Sequence, residues 1–268
     1  MDLNTVEALH TPTRREDVWP LGPGDAILAG GTWLFSETQP DVTGLVDLTT
    51  LGWPPLEDLP DGGLRIAATC TIAELVDRPR RPEWHAQSLF RQCATALLAS
   101  PKVWRQATVG GNICRAYAAA GMVALAVTLD ATALLWTADG DCRLEVADLV
   151  IGDGTTSLQP GDVLRAIDIP ASALRARTAY RKIALAELGR SAAVLTGRVD
   201  ADGHTVLVIT AATARPSVLR YRTLPDAATL HTDVEALDGW YSDALGSADW
   251  RQAMSLLLLD EVCQDLAS

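Results

Sequence analysis

The chain has 268 residues, of which 48% are hydrophobic and 21% charged, and its formal net charge is −12. This composition is typical of a folded globular protein with an ordinary core. The acidic balance argues against a nucleic-acid surface and against docking on an anionic membrane, because both partners need an excess of Lys and Arg. No segment has the run of about 18 apolar residues that a membrane span requires.

The cysteines and histidines give no catalytic or metal-binding pattern. Cysteines at positions 70, 93, 114, 142 and 263 are too far apart for a C-x-x-C pair or an iron–sulfur motif. The four histidines are scattered, and no G-x-S-x-G nucleophile motif occurs. The first residues lack the basic start and apolar run of a signal peptide. We therefore predict a cytoplasmic chain with reduced thiols, no metal ligands and no catalytic nucleophile.

The first half of the chain alternates short strands with helices. Strands are predicted at 26–28, 44–48 and 64–68, the last two separated by a turn-rich stretch with three prolines. Thr71 and Glu74 then form a capping-box pattern at the start of a helix. Apolar spacing predicts further helices over 84–99 and 119–130.

The second half is richer in hairpins. One hairpin is predicted from strands at 131–136 and 143–146 around Asp139-Gly140, and another from strands at 192–199 and 205–211 around Asp202-Gly203. The strand over 163–169 ends at Pro170, and a domain boundary is expected near 171–178. The chain closes with a helix whose apolar stripe is predicted to contain Trp250, Ala253, Met254, Leu257, Leu258 and Val262.

Two segments pair adjacent glycines with polar side chains: residues 28–34 (LAGGTWL) and residues 107–113 (ATVGGNI). Glycine has no Cβ to keep a phosphate from the backbone, and it tolerates the positive φ that turns successive amides toward an anion. Thr32, Thr108 and Asn112 add side-chain donors, and each charge-assisted contact is worth roughly 1.5–3 kcal/mol. The two loops predict a cradle that grips a diphosphate from both sides without a basic residue.

An ordinary tight turn is the alternative interpretation of each glycine pair. A chain with 20 glycines forms such pairs by chance, as Gly62-Gly63 shows. Neither loop is a G-x-G-x-x-G dinucleotide fingerprint, and no Walker A lysine is present. The glycines alone leave both interpretations open.

The order of these segments resembles the FAD-binding medium subunits of xanthine, aldehyde and carbon monoxide dehydrogenases. These are molybdenum hydroxylase subunits with the vanillyl-alcohol-oxidase-like FAD fold. Further similar stretches are the strand and capped helix at 66–75, the strand at 162–170, Tyr180-x-Lys182 and the closing helix at 250–266. The resemblance extends over nearly the whole chain.

The resemblance implies an α+β fold with two domains. The first is a two-part PCMH-type FAD-binding domain over residues 1–174, with subdomains at about 1–55 and 56–174. The second, over residues 175–268, is a small α+β domain like that of carbon monoxide dehydrogenase flavoproteins, with a short antiparallel sheet and helices.

The same resemblance implies that FAD lies between the two glycine loops. Leu164 would contact the adenine, with plain strand packing as the alternative, and Lys182 would reach toward the flavin ring, with a solvated surface lysine as the alternative. Trp33 stands where many relatives carry a small or polar residue, and packs either on the cofactor or on the sheet. The residues implied to contact FAD are Leu28, Ala29, Gly30, Gly31, Thr32, Trp33, Leu34, Ala107, Thr108, Gly110, Gly111, Asn112, Ile113, Leu164 and Lys182.

The function implied is that of an oxidoreductase subunit that carries electrons and holds no substrate site. A large partner subunit would hold the molybdenum cofactor and a small one two [2Fe–2S] clusters, in a heterotrimer or a dimer of heterotrimers. Electrons would pass from the clusters through FAD to NAD⁺ or another acceptor. Eight Trp residues against two Phe are compatible with such interfaces.

Some positions depart from the family pattern. After Asn112-Ile113 the family continues with Ser-Pro and then an aspartate that contacts the cofactor, whereas this chain has Tyr117-Ala118 and Gly121. One alternative is a stand-alone FAD-dependent reductase of the same fold, which needs a proton donor that the sequence does not offer. The other is a scaffold subunit with a decayed flavin site, which Gly121 favours and the intact glycine loops oppose.

Overall fold

A computed structural model describes residues 3–268; residues 1 and 2, where the predicted first domain begins, lie outside the described residues. The first elements in the chain are short strands, interrupted by 3-10 helices at Arg15–Val18 and Leu48–Leu51. These strands are β1 (Ala8–His10), β2 (Asp25–Leu28), β3 (Gly44–Asp47), β4 (Leu56–Asp58) and β5 (Leu64–Ala67). The five helices that follow are α1 (Ile72–Val76), α2 (Ser88–Thr95), α3 (Pro101–Trp104), α4 (Val109–Arg115) and α5 (Gly121–Thr128).

The middle of the chain returns to strands. Its elements are β6 (Thr132–Thr137), β7 (Gly140–Glu145), α6 (Val146–Leu149), β8 (Val150–Gly152), β9 (Thr155–Thr156), β10 (Val163–Ile169) and α7 (Ala171–Arg175). The last part contains β11 (Arg177–Ala184), β12 (Ser191–Val199), β13 (Thr205–Thr210), β14 (Ser217–Tyr221), α8 (Ala227–Glu235) and α9 (Ala248–Ala267).

Three larger sheets organise these strands. The first is parallel, in the order β1-β3-β2; the second is antiparallel, in the order β4-β5-β10-β6-β7. The third is an antiparallel sheet in sequence order from β11 to β14, and β8 and β9 form a small ribbon. The mixture of helices with mainly antiparallel sheets is the predicted α+β class.

Local patterns in the sequence place several elements correctly. Thr71 caps α1 by accepting a hydrogen bond from the Glu74 amide, while the Glu74 carboxylate accepts one from the Thr71 amide, as the capping box predicts. The hairpins around Asp139-Gly140 and Asp202-Gly203 form as β6–β7 and β12–β13. The helix expected over 84–99 is shorter, because a 3-10 turn at His85–Gln87 precedes α2 and α2 ends at Thr95.

The buried face of the closing helix α9 coincides only in part with the predicted stripe. Leu257 is 52% exposed and Ala253 is also exposed, whereas Arg251 and Ser255 are fully buried. The buried side also contains Leu258, Leu259, Val262 and Leu266. The predicted stripe was right for Leu258 and Val262 and wrong for Ala253 and Leu257, because buried Arg and Ser side chains are invisible to a search for apolar periodicity.

One helix joins the sheets into a common core. Every residue of α5 is buried; α5 packs against α2 and also against β12 and β13. Its Thr128 hydroxyl shares a buried hydrogen bond with the Thr196 hydroxyl of β12. The main apolar cluster therefore includes residues from both the five-stranded and the four-stranded sheet. None of the helices in residues 3–268 is both long and apolar enough to cross a membrane.

Candidate functional site

A cavity of about 470 Å³ lies between the two glycine segments. Its walls come from the end of β2, the start of α4 and the strand β10, so elements distant in sequence meet there. The predicted cofactor residues that line it are Leu28, Ala29, Gly30, Gly31, Thr32, Trp33, Leu34, Ala107, Thr108, Gly110, Gly111, Asn112 and Leu164. A cavity of this size suits an extended organic cofactor.

The first loop presents free backbone donors to this cavity. Gly31 has a φ of 67°, a value that favours glycine, and the turn that it makes is closed by a bond from the Phe35 amide to the Gly31 carbonyl. Within residues 3–268 the amides of Gly31, Thr32 and Trp33 donate no hydrogen bond. Successive unpaired N–H groups around a left-handed residue form a concavity that suits an anion.

Glycine at position 30 has a packing role. A Cβ on Gly30 would lie 2.0 Å from the carbonyl oxygen of Gln106. The two loops are therefore in backbone contact, which fixes the width of the cavity between them. This contact, and not a positive φ, explains why residue 30 has no side chain.

The second loop contains the first turn of helix α4, and the backbone donors of that turn are already engaged. Thr108 caps the helix by accepting a hydrogen bond from the Gly111 amide. The amides of Val109 and Gly110 donate to the carbonyls of Cys70 and Ala68. The cradle is therefore asymmetrical: the first loop has three consecutive free amides, whereas in the second loop the amides of Val109, Gly110 and Gly111 are engaged.

The glycines of the second loop differ from each other. A Cβ on Gly110 would lie 2.5 Å from the Cα of Ala68, so Gly110 permits close packing of α4 on the end of β5. A Cβ on Gly111 would meet only the Thr108 hydroxyl, at 2.9 Å, and Gly111 is exposed toward the cavity. Gly111 thus leaves room for a ligand, whereas Gly110 leaves room for the protein itself.

Two further residues that line the cavity are held in place by contacts within the protein. Leu164 is buried on β10 and forms part of the cavity wall, so strand packing and ligand contact are both compatible with its position. The side-chain oxygen of Asn112 accepts a hydrogen bond from the Met122 amide at the start of α5. The Asn112 NH₂ group remains available as a donor to an anionic ligand.

Ile113 and Lys182 are not among the described residues that line the cavity. Ile113 is fully buried on the side of α4 that faces the main apolar cluster. The ammonium of Lys182 donates to the carbonyl of Gly189, and partial burial lowers its pKa. Lys182 therefore closes its own β11–β12 loop.

Gly121 has a steric reason to lack a side chain. A Cβ there would lie 2.2 Å from the carbonyl oxygen of Cys93, because the start of α5 packs directly against α2. An aspartate at this position would require the two helices to separate. Gly121 departs from the family pattern, and the close contact between α2 and α5 explains why this position has no side chain.

Trp33, Arg115 and Tyr117 form one cluster. Trp33 and Tyr117 depart from the family pattern, and the sequence gave no reason to choose Arg115. The guanidinium carbon of Arg115 lies 4.1 Å from the ring centre of Trp33 and 4.0 Å from that of Tyr117. The Tyr117 hydroxyl accepts hydrogen bonds from both the Trp33 indole and Arg115. We call Trp33, Arg115 and Tyr117 the aromatic clamp; all three line the cavity.

The sequence matches a family model described as the FAD-binding domain in molybdopterin dehydrogenase, over residues 5–172. This match covers more than half of the chain. The chain belongs to that family. The family therefore indicates FAD as the cofactor for this cavity. The free amides beside Gly31 and the open face of Gly111 fit the FAD diphosphate.

Relatives of this FAD-binding family member include two bacterial subunits. It is 26% identical over 167 residues to the nicotinate dehydrogenase FAD-subunit of Eubacterium barkeri, covering 59% of this chain and 55% of the relative. It is 27% identical over 155 residues to a putative xanthine dehydrogenase FAD-binding subunit of Escherichia coli strain K12, covering 55% of this chain and 51% of the relative. The chain thus spans about half the length of these relatives.

Solved structures share the fold of this family member over nearly its full length. The reconstituted CO dehydrogenase from Oligotropha carboxidovorans matches with a TM-score of 0.85 at 22% identity, covering 98% of both chains. Quinoline 2-oxidoreductase from Pseudomonas putida 86 matches with a TM-score of 0.79 at 21% identity, covering 100% of both chains. The similarity confirms the predicted fold class, a PCMH-type FAD-binding part followed by a small α+β part.

Proposed function

We propose that this chain is the FAD-binding electron-transfer subunit of a molybdenum hydroxylase. In this proposal it relays electrons from the [2Fe–2S] clusters of a small partner subunit to NAD⁺ or another acceptor. A large partner subunit holds the molybdenum cofactor and oxidises the substrate, in a cytoplasmic heterotrimer or dimer of heterotrimers. When bound, FAD supplies the ability to accept electrons singly and to release them in pairs.

The observation that carries the proposal is the cavity between the two glycine loops. The unpaired amides of Gly31, Thr32 and Trp33 provide fixed donors for a diphosphate, and Gly111 leaves the opposite wall open. The contact of Gly30 with Gln106 holds the loops at a fixed separation. Such a preorganised site binds an anion without first reorganising its dipoles.

The names of the relatives support the assignment to a complex. The Eubacterium barkeri relative is named as an FAD-subunit, and a third relative is named as a subunit of the 6-hydroxypseudooxynicotine dehydrogenase complex of Paenarthrobacter nicotinovorans. The third match covers 29% of this chain at 26% identity. Among the described residues no group of three or more His, Cys, Asp or Glu is arranged to hold a metal ion, so the metal centres are assigned to the partners.

The test is to purify the chain from its host under conditions that preserve complexes, and to record the visible spectrum with cofactor and metal analysis. One FAD per chain, with iron and molybdenum in the same particle, is the expected result. FAD without metals or partner subunits would favour the stand-alone reductase. Intact partners without flavin would favour the scaffold subunit and reject the proposal.

A further inference from the structure

The asymmetry of the two loops leaves one side of the cavity short of donors. The amides of Val109, Gly110 and Gly111 are all occupied by protein acceptors, so α4 has no free backbone donor in its first turn. On this side α4 offers a diphosphate only neutral side-chain donors, the Asn112 NH₂ group and the Thr108 hydroxyl. A doubly charged group in a partly buried site is costly without a counter-charge, so a cation is needed on that side.

Arg115 is placed to supply it. Arg115 is four residues after Gly111 in the same helix, so the two lie on one face about 6 Å apart along the axis. The Arg115 guanidinium lies beside Gly154, where an added Cβ would be 3.3 Å from Nη1. Its guanidinium stacks on Trp33, which belongs to the first loop. The guanidinium therefore joins α4 to the first loop in the wall of the cavity.

The charge of Arg115 is uncompensated by the protein. Among the described residues that line the cavity, Arg115 is the only cation and Asp162 the only anion. No carboxylate within residues 3–268 forms an ion pair with Arg115, and its Nε is buried without a hydrogen-bond partner. The chain has 34 Asp and Glu residues against 22 Lys and Arg. In so acidic a chain, an arginine that lines a cavity without an ion-pair partner is unusual.

We propose that Arg115 is the counter-ion of the FAD diphosphate and that Trp33 and Tyr117 hold it in the binding geometry. This inference rests on the proposed binding of FAD. The guanidinium carbon lies within 4.1 Å of both ring centres and the Tyr117 hydroxyl accepts a hydrogen bond from one of its N–H groups, so little side-chain entropy is lost when a phosphate oxygen binds. Trp33 and Tyr117, which both depart from the family pattern, thus act together to position Arg115.

The experiment compares the full chain with Arg115→Gln, using FAD, ADP and riboflavin as separate ligands. Flavin fluorescence gives the dissociation constants of FAD and riboflavin, and titration calorimetry gives that of ADP. Loss of one charge-assisted contact is expected to weaken FAD and ADP about 10- to 100-fold and to leave riboflavin unchanged. Arg115→Lys keeps the charge and is expected to recover part of the ADP affinity.

Arg190→Gln is the matched control. The guanidinium carbon of Arg190 lies 5.9 Å from the Tyr117 ring, but Arg190 is not among the described residues that line the cavity. Its removal is expected to leave all three affinities unchanged. Circular dichroism and thermal unfolding of each variant verify that the fold is retained. Increasing salt is expected to weaken ADP binding by the native chain more than by Arg115→Gln.

Each outcome has a defined meaning. A native chain that binds neither FAD nor ADP rejects the proposed function itself. A native chain that binds both, with Arg115→Gln unchanged, shows that the clamp is only structural and overturns the inference. Riboflavin weakened as strongly as FAD, with ADP unaffected, would place the guanidinium at the flavin ring and would overturn it as well. If Arg115→Gln does not fold, the salt dependence and Arg115→Lys decide between these results.

Discussion

At the scale of single residues, the two glycines at the start of α4 have different tasks. A Cβ at position 110 would overlap the backbone of Ala68, whereas a Cβ at position 111 would meet only the Thr108 hydroxyl. We expect Gly110→Ala to destabilise the fold by about 1–3 kcal/mol, the usual cost of overpacking. Gly111→Ala is expected to change stability by less than about 1 kcal/mol, because the gain in helix propensity offsets the crowding of the cap.

The two variants are distinguished by measuring stability and FAD affinity together. In the absence of ligand, Gly110→Ala is expected to unfold at a lower temperature than the native chain. FAD titration is expected to show weaker binding for Gly111→Ala, whose methyl group enters the cavity. If Gly111→Ala bound FAD as tightly as the native chain, the open face of Gly111 would not be a contact for the cofactor.

Cys114 offers a chemical probe of the same cavity. Burial raises the pKa of this thiol to about 12, so roughly one molecule in 10,000 carries the reactive thiolate at pH 8. Cys142 is exposed on β7 and serves as an internal reference. We expect a thiol reagent to label Cys142 first and Cys114 slowly, with the Cys114 rate rising about tenfold for each pH unit up to pH 10.

Bound FAD is expected to protect Cys114 and to leave the Cys142 rate unchanged, because only Cys114 lines the cavity. Peptide mapping by mass spectrometry identifies the labelled site, and Cys142→Ser removes the background. Equal labelling of Cys114 with and without FAD would contradict the proposed position of the cofactor.

At the scale of elements, the five-stranded sheet is held by a charge network across three strands. Asp168 on β10 accepts hydrogen bonds from Arg65 on β5, at 2.7 and 2.8 Å, and from Arg143 on β7, at 2.9 Å. Burial of Asp168 opposes its ionisation, but the hydrogen bonds from Arg65 and Arg143 outweigh burial and lower its pKa. The carboxylate is therefore more easily formed in the folded than in the unfolded chain.

Because the folded pKa is lowered, the stabilisation is complete above the unfolded pKa of about 3.9 and disappears as the pH falls through the folded value. We expect Asp168→Asn to lower the free energy of unfolding by about 1.5–3 kcal/mol at pH 7. The difference from the native chain is expected to shrink below about pH 4. Asp139→Asn, in the exposed β6–β7 turn, is the control, and a constant difference down to pH 3 would contradict the explanation.

In the closing helix α9, some of the buried residues differ from those that the apolar pattern predicts. Arg251 is fully buried; it donates to the Ala211 carbonyl and to Asp243, and its guanidinium lies 3.9 Å from the Tyr241 ring centre. We expect Arg251→Leu to cost about 2 kcal/mol or more, because it removes both hydrogen bonds and leaves the Asp243 carboxylate without its cation. Leu257→Ala, on the predicted stripe but 52% exposed, is expected to cost less than about 0.5 kcal/mol. The reverse order in denaturant unfolding would support the apolar stripe.

These elements also show what a sequence can predict here. Interactions within a few residues, such as the Thr71 cap and the Asp139-Gly140 turn, follow from local chemistry and were predicted. The buried Arg251 has a partner 40 residues away in Ala211, and the amide of Gly110 has one in Ala68. Such distant partners are not encoded in any local pattern, so the occupied donors of α4 and the aromatic clamp could not be foreseen.

At the scale of the whole molecule, the cavity is connected to the C-terminal sheet. Ala211, at the end of β13, donates its amide to the carbonyl of Ala118, next to Tyr117 of the clamp. Asp153 accepts a hydrogen bond from the Ala118 amide at 2.8 Å. The segment that positions Tyr117 is thus fixed from both the N-terminal and the C-terminal part of the chain.

This connection predicts that the chain unfolds as one cooperative unit. Helix α5 is buried between α2 and the strands β12 and β13, so separating the two predicted domains would expose its apolar side chains. We expect a single calorimetric transition, and FAD at 100 times its dissociation constant should stabilise it by about 2.7 kcal/mol. Two transitions, with only the first responding to FAD, would show that residues 175–268 fold independently and that the hydrogen bond from Ala211 to Ala118 does not couple them.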